Sequence, residues 1–162
     1  MTLDQFQAVT EQKLWSSYAV LLLGDGYLTL EAVNNFGTYW IVGGHHMREQ
    51  IADDRVLVRL LRHILPSYSG GAIALFRGEN RERWDNRAIG LAWTPNIMKA
   101  RMFGSGLNAV LSGGVLLRAW FEPEAIISGP NKQSSYLGEF QVTIDPFAIG
   151  TVSAIESFSP IA

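Results

Sequence analysis

Three places in the sequence set a polar or aromatic side chain at the margin of an apolar run. They are Arg77 at the end of "ALFRGEN", Trp93 and Thr94 at the end of "GLAWTP", and Glu139 with Gln141 in "SYLGEFQVTIDP". If those ends converge, they form a cleft with a fixed cation, an aromatic face, a hydroxyl and a carboxylate. A guanidinium presents planar, paired donors to anionic or hydroxyl oxygens. A carboxylate in a dry pocket favours positive charge developing on a substrate. Each feature also has a plainer reading. "RGENRERWDNR" reads as a charged, solvated loop, and a large ring at a strand end is more often packing. Glu139, Gln141 and Thr143 then become the wet face of a half-buried strand whose other face is Phe140, Val142 and Ile144.

Other chemistries find little support. The chain has no cysteine, which excludes disulfides, thiolate zinc sites and cysteine nucleophiles and leaves the redox compartment open. His45, His46 and His63 have no recognised metal spacing. "GGHH" and "SGG" lack the setting of a phosphate loop, and "GSG" around Ser105 lacks the nucleophile-elbow pattern. Glu122 and Glu124 flank Pro123, which predicts a turn with both carboxylates exposed. A net charge of -2 argues against a broad grip on duplex nucleic acid, which depends on releasing many counterions. "MTLDQFQAVTEQK" has no basic region followed by an apolar one, and no apolar run reaches spanning length. A soluble, unprocessed chain is therefore expected.

The elements that must position these residues change character at Pro66. With 162 residues, 48% hydrophobic and 17% charged, the sequence suits one domain with a proper core. Residues 1–66 read as a helical lobe. Thr2 and Gln5 have capping-box spacing, and Phe6, Leu14, Trp15, Tyr18 and Leu22 form one stripe that runs to "GDG". "YLTLEAVNNFG" predicts a second helix ended by Gly37, and "TYWIVGGHHMREQIA" leans towards helix. Asp53 or Asp54 can cap a further helix with Val56, Leu57, Leu60, Leu61 and Ile64 on one side, ending at Pro66. Residues 72–158 read as β-rich. "AIALFRG", "AIGLAWT", "GGVLLRAWF", "EFQVTID" and "TVSAIESF" predict strands, with a short helix "NIMKARMFG" among them. Helices followed by strands give an α+β class, with the helices packed on one side of an antiparallel sheet system.

Over residues 72–146 the order of "LFRGE", "GLAWTPNIMKARMF", "GGVLLRAWFEPEAII" and "YLGEFQVTIDP" resembles the ADP-ribosyltransferase superfamily. The similar branch is of bacterial or phage type and carries an arginine, then a serine or threonine strand, then a glutamate. The resemblance implies an antiparallel split β-sandwich and a mono-ADP-ribosyltransferase, a glycosyltransferase using NAD as substrate, with NAD hydrolysis as a related outcome. It implies a macromolecular acceptor, protein before nucleic acid, no membrane, and a cytoplasmic site of action in a bacterium or host. For a toxin of this kind it also implies an antitoxin or immunity partner. Arg77 would bind NAD, Trp93 would offer a face to nicotinamide, and Thr94 would bond a ribose hydroxyl or hold two strands together. Gly78 and Phe103, from the same motifs, complete the implied NAD-binding set. Ala92 stands where the second motif usually has serine. For the catalytic carboxylate two alignments stay open. In one, Glu139 precedes an aromatic residue and a strand and is the catalytic glutamate. In the other, Glu139 is the accessory residue and Gln141 holds the catalytic place. A catalytically inactive NAD-binding or protein-interaction module on the same fold is the alternative.

Overall fold

The computed structural model describes residues 1–24 and 26–162; "GDG" at 24–26 therefore lies partly outside the described residues. The chain divides into two compact units. The first comprises Met1–Ser67 and Asn131–Ser134, the second Tyr68–Pro130 and Ser135–Ala162. The boundary falls next to Pro66, where the sequence texture changes.

The first unit is built from four helices: α1 (Leu3–Glu11), α2 (Trp15–Leu23), α3 (Leu30–Ile51) and α4 (Asp54–Ile64). Thr2 and Gln5 form the expected capping box on α1. The single stripe expected from Phe6 to Leu22 is broken at Lys13, whose φ of 57° ends one helix before the next begins. Leu14 consequently precedes α2 and is 41% exposed rather than buried. Gly37 does not end a helix either. Helix α3 runs through it and through Gly43 and Gly44, where a Cβ would press on the rings of Tyr39 and Trp40 in the preceding turn. Packing of a long buried face outweighs the glycines' weak helix propensity. Phe6, Trp15, Phe36 and Tyr39 form an aromatic cluster with ring centroids 5.7–6.3 Å apart. Its polar tips are satisfied: Trp15 Nε1 donates to Thr10 Oγ1 at 2.8 Å, and the Thr10 and Tyr39 hydroxyls share a short hydrogen bond. Asp53 caps α4 by accepting from the N–H groups of Arg55 and Val56. The buried face of α4 uses Val58 with Leu57, Leu60, Leu61 and Ile64, while Val56 is only half-buried.

The second unit contains strands β1 (Ile73–Asn80), β2 (Ala92–Trp93), β3 (Gly114–Phe121), β4 (Ile126–Ser128), β5 (Val142–Ile144) and β6 (Val152–Phe158). Between them along the chain lie α5 (Arg81–Asp85), α6 (Ile97–Ser105) and α7 (Lys132–Tyr136), the last with its first three residues in the first unit. The sheets are antiparallel and three-stranded, in the orders β1-β3-β6 and β2-β5-β4. The class is therefore α+β. One isolated bridge, Phe76 with Thr94, joins a strand of the first sheet to the end of β2. Leu75, Trp93, Leu117, Phe121, Val142 and Ile144 are among the residues of its core. Two expected strands are much shorter than "AIGLAWT" and "EFQVTID" suggest. In the second, Phe140 takes φ 47° and interrupts the extended run. Strand β4 and helices α5 and α7 were not expected.

Helix α6 lies directly on the first sheet because three glycines meet there. A Cβ on Gly78 would overlap the carbonyl oxygen of Ala100 and the amide of Gly104, and one on Gly114 would overlap the carbonyl of Gly104. These neighbours are backbone, so they cannot swing aside. Gly78→Ala is expected to destabilise the fold by at least the roughly 1–3 kcal/mol of an overpacked core, read as a lowered urea midpoint. An unchanged midpoint would mean that α6 can move off the strand.

Candidate active site at the sheet junction

Thr94 sits where the two sheets meet. Phe76 N–H donates to Thr94 O at 2.8 Å and Thr94 N–H donates to Phe76 O at 2.9 Å, a closed backbone pair. On its other side the register pairs Ala92 with Thr143 and Trp93 with Val142. The pairing ends there, because β5 begins at Val142 and Gln141 is the residue just before it. Arg77 follows Phe76 on β1, and its Nη1 donates to Ala92 O at 2.8 Å. Arg77 is thus the neighbour of the bridge residue on β1, Thr94 closes the bridge at the end of β2, and Gln141 leads into β5.

The Thr94 side chain is 8% exposed, and its Oγ1 accepts from the Asn96 N–H at 3.0 Å. Asn96 in turn caps α6, its Oδ1 accepting from Met98 and Lys99. Thr94 therefore holds strands and helix start together, the second of the two roles considered for it. Trp93 is 1% exposed, stacks edge-on with Phe121 at 5.1 Å and donates Nε1–H to Gly90 O at 3.0 Å. Its ring is core and not an open stacking face. Gly78 belongs to the helix–sheet contact described above, and Phe103 is a half-buried residue of α6.

Glu139 and Gln141 are both half-buried and both precede β5. The expected division of faces does not hold. Thr143 is 3% exposed and Phe140 43%, because the left-handed residues before Val142 break the alternation, and all three residues of β5 are buried. Lys99 lies beside this approach: a Cβ on Gly138 would stand 3.7 Å from its Nζ.

The residue that motif reading passed over is Glu79. It is 1% exposed, yet its carboxylate is fully engaged. Oε2 accepts from Arg77 Nε at 2.6 Å and from the Gly90 N–H at 2.9 Å; Oε1 accepts from the Asn80 N–H at 2.9 Å and lies 3.4 Å from Arg83 Nε. Burial pushes the Glu79 carboxyl up, but the Arg77 charge and hydrogen bond, with the Gly90 and Asn80 N–H groups, outweigh it and hold the group below its ordinary value. The signal for it was present: residues two apart on a strand share a face, so Arg77 and Glu79 had to meet. Arg77 is 18% exposed, and the loop reading of "RGEN" gives way to a strand end with a buried ion pair.

Glu122 and Glu124 are exposed around Pro123, as the turn predicts. Among the described residues no group of three or more His, Cys, Asp or Glu could hold a metal ion. Among the same residues no helix is long and apolar enough to cross a membrane. The fold is that of an α+β protein with two small antiparallel three-stranded sheets and an arginine–glutamate pair beside the bridge. No family model, curated protein or solved structure matches the chain.

Because Glu79 is held below its ordinary value of 4.5, its contribution to stability is complete above that value and is lost as the pH falls towards the folded one. Glu79→Ala is expected to cost about 3 kcal/mol at pH 7, the lower end for breaking a buried pair, since Arg77 keeps some exposure. Urea unfolding of both proteins from pH 7 to 3 checks this: the gap should narrow on acidification. A constant gap would separate the cost from the charge.

Proposed function

We propose that the chain uses this junction to bind NAD and to transfer its ADP-ribose unit to a macromolecular acceptor, protein before nucleic acid. What supports the reading is that Arg77 and Thr94 stand at the one-residue bridge between two small antiparallel sheets and that Gln141 leads into β5, the strand paired with β2. This is the order of side chains on which the motif resemblance rests. Arg77 would clamp a phosphate or ribose oxygen. The bond between nicotinamide and ribose C1′ breaks with its electron pair leaving on nicotinamide, and the sugar becomes cationic. A carboxylate bonded to the ribose 2′-hydroxyl favours that charge, and the acceptor then attacks C1′ and loses a proton. Glu139 is the carboxylate of the pair and takes this role, with Gln141 orienting the acceptor. Water as acceptor gives NAD hydrolysis. An antitoxin or immunity partner belongs to this reading only as the counterpart of a toxin.

One observation favours a second reading. Position 141, just before β5, is a neutral amide, which keeps the shape and hydrogen bonding of a glutamate without its charge. On that reading the chain is a catalytically inactive NAD-binding module.

Nicotinamide release by the full chain, with and without cell extract to supply acceptors, separates the two. Turnover that Glu139→Ala lowers on the order of 10²–10³-fold upholds the transferase with Glu139 as its carboxylate. Turnover only after Gln141→Glu makes 141 the catalytic position and upholds the inactive module. No turnover and no thermal shift with NAD overturns both.

A further inference from the structure

The reading above leaves unexplained why a glutamate should be buried behind Arg77 and why the segment before β2 carries glycine at 90. Arg77 has five N–H donors. Nε is taken by Glu79 and one hydrogen of Nη1 by Ala92 O, while Nη2 makes no hydrogen bond among the described residues. The same Glu79 oxygen that accepts from Nε accepts from Gly90 N–H. Gly90 lies so close that a Cβ there would overlap the guanidinium. The guanidinium is thus gripped by a carboxylate and a backbone carbonyl and covered by a residue that has no side chain. Its remaining donors face solvent, since among the described residues no buried side-chain nitrogen or oxygen lacks a partner and the Arg77 side chain keeps 18% exposure. The held guanidinium therefore presents free donors outward.

We infer that Glu79 is a positioning residue, whose carboxylate fixes the Arg77 guanidinium so that Nη2 is the donor to an oxyanion or ribose oxygen of the bound dinucleotide, with Gly90 leaving the room this requires. The ligand named here rests on the proposed function; the positioning does not. Glu79 itself touches no substrate. It removes the rotamer freedom that a long, flexible cation would otherwise lose on binding. The carboxylate acts by geometry and charge together: glutamine keeps the first in part and loses the second.

Two variants and two readouts test this. Glu79→Gln removes the charge. Gly90→Ala removes none, and because the atoms its Cβ meets are the end of a flexible side chain, the fold survives while the guanidinium is displaced. The first readout is hydrogen exchange of the Arg77 Nε–H by NMR on the full chain, which needs no ligand. Slow exchange in the parent, at least tenfold faster in both variants, is expected. Fast exchange in the parent, or unchanged exchange in Gly90→Ala, overturns the positioning. The second readout is NAD affinity by titration calorimetry. Both variants should bind at least tenfold more weakly, and adding Arg77→Ala to either should cost clearly less than it costs the parent. Losses that multiply with Arg77→Ala, or folded variants that bind like the parent, reduce Glu79 to a purely structural role. A parent with a protected Nε–H that binds no NAD upholds the positioning and overturns the proposed function alone.

Discussion

A carboxylate that is 1% exposed stays ionised only if its lone pairs are met, and Glu79 meets that condition with groups from its own strand, from α5 and from the approach to β2. Arg77 and the Asn80 N–H come from β1, Arg83 from α5, and the Gly90 N–H from the segment before β2. Asn80 is itself a cap: its Oδ1 accepts from Glu82 and Arg83, and its Nδ2 donates to the carbonyls of Asn108 and Val110. One buried charge therefore fixes where β1 ends, where α5 begins and how the chain returns to the second sheet. Remove it, and the guanidinium and several backbone donors lose their partner together.

The second constraint is the narrowness of the junction. The two sheets of the second unit are tied through the Phe76–Thr94 backbone pair, and Trp93 beside it fills the core. Thr94 also starts α6 through Asn96, and α6 closes onto β1 and β3 only because Gly78, Gly104 and Gly114 carry no side chains at the contact. The strand end that bears Arg77 is therefore held from both sides. This rigidity is what a binding site needs from its scaffold, and it explains why the polar groups at the junction sit among tightly packed residues.

Much of this was legible in the sequence where local chemistry decides the outcome. The capping box at Thr2, the Asp53 cap, the long apolar strands β1, β3 and β6 and the Asn96-capped helix α6 all follow from spacing and side-chain type. Failures occur where tertiary packing or backbone strain decides. Gly37 reads as the end of a helix but lies inside α3, whereas the helix expected through Gly43 and Gly44 is there. Lys13 and Phe140 adopt positive φ, a conformation that composition does not announce; the first breaks the expected helical stripe and the second delays the start of β5. At the candidate site the motif order identified Arg77, Thr94 and the 139–141 pair. Whether Trp93 was packing or a ligand face depended on depth in the core, which a single strand cannot reveal.

If Arg77, Thr94 and position 141 line one ligand site, NAD reaches all of them at once. In a titration of the isotope-labelled chain with NAD, the amide resonances of Arg77, Gly78, Thr94 and Gln141 should then shift together, along with the Arg77 Nε–H, on a single binding curve. Shifts confined to other parts of the chain, or curves that differ between β1 and the start of β5, would contradict it.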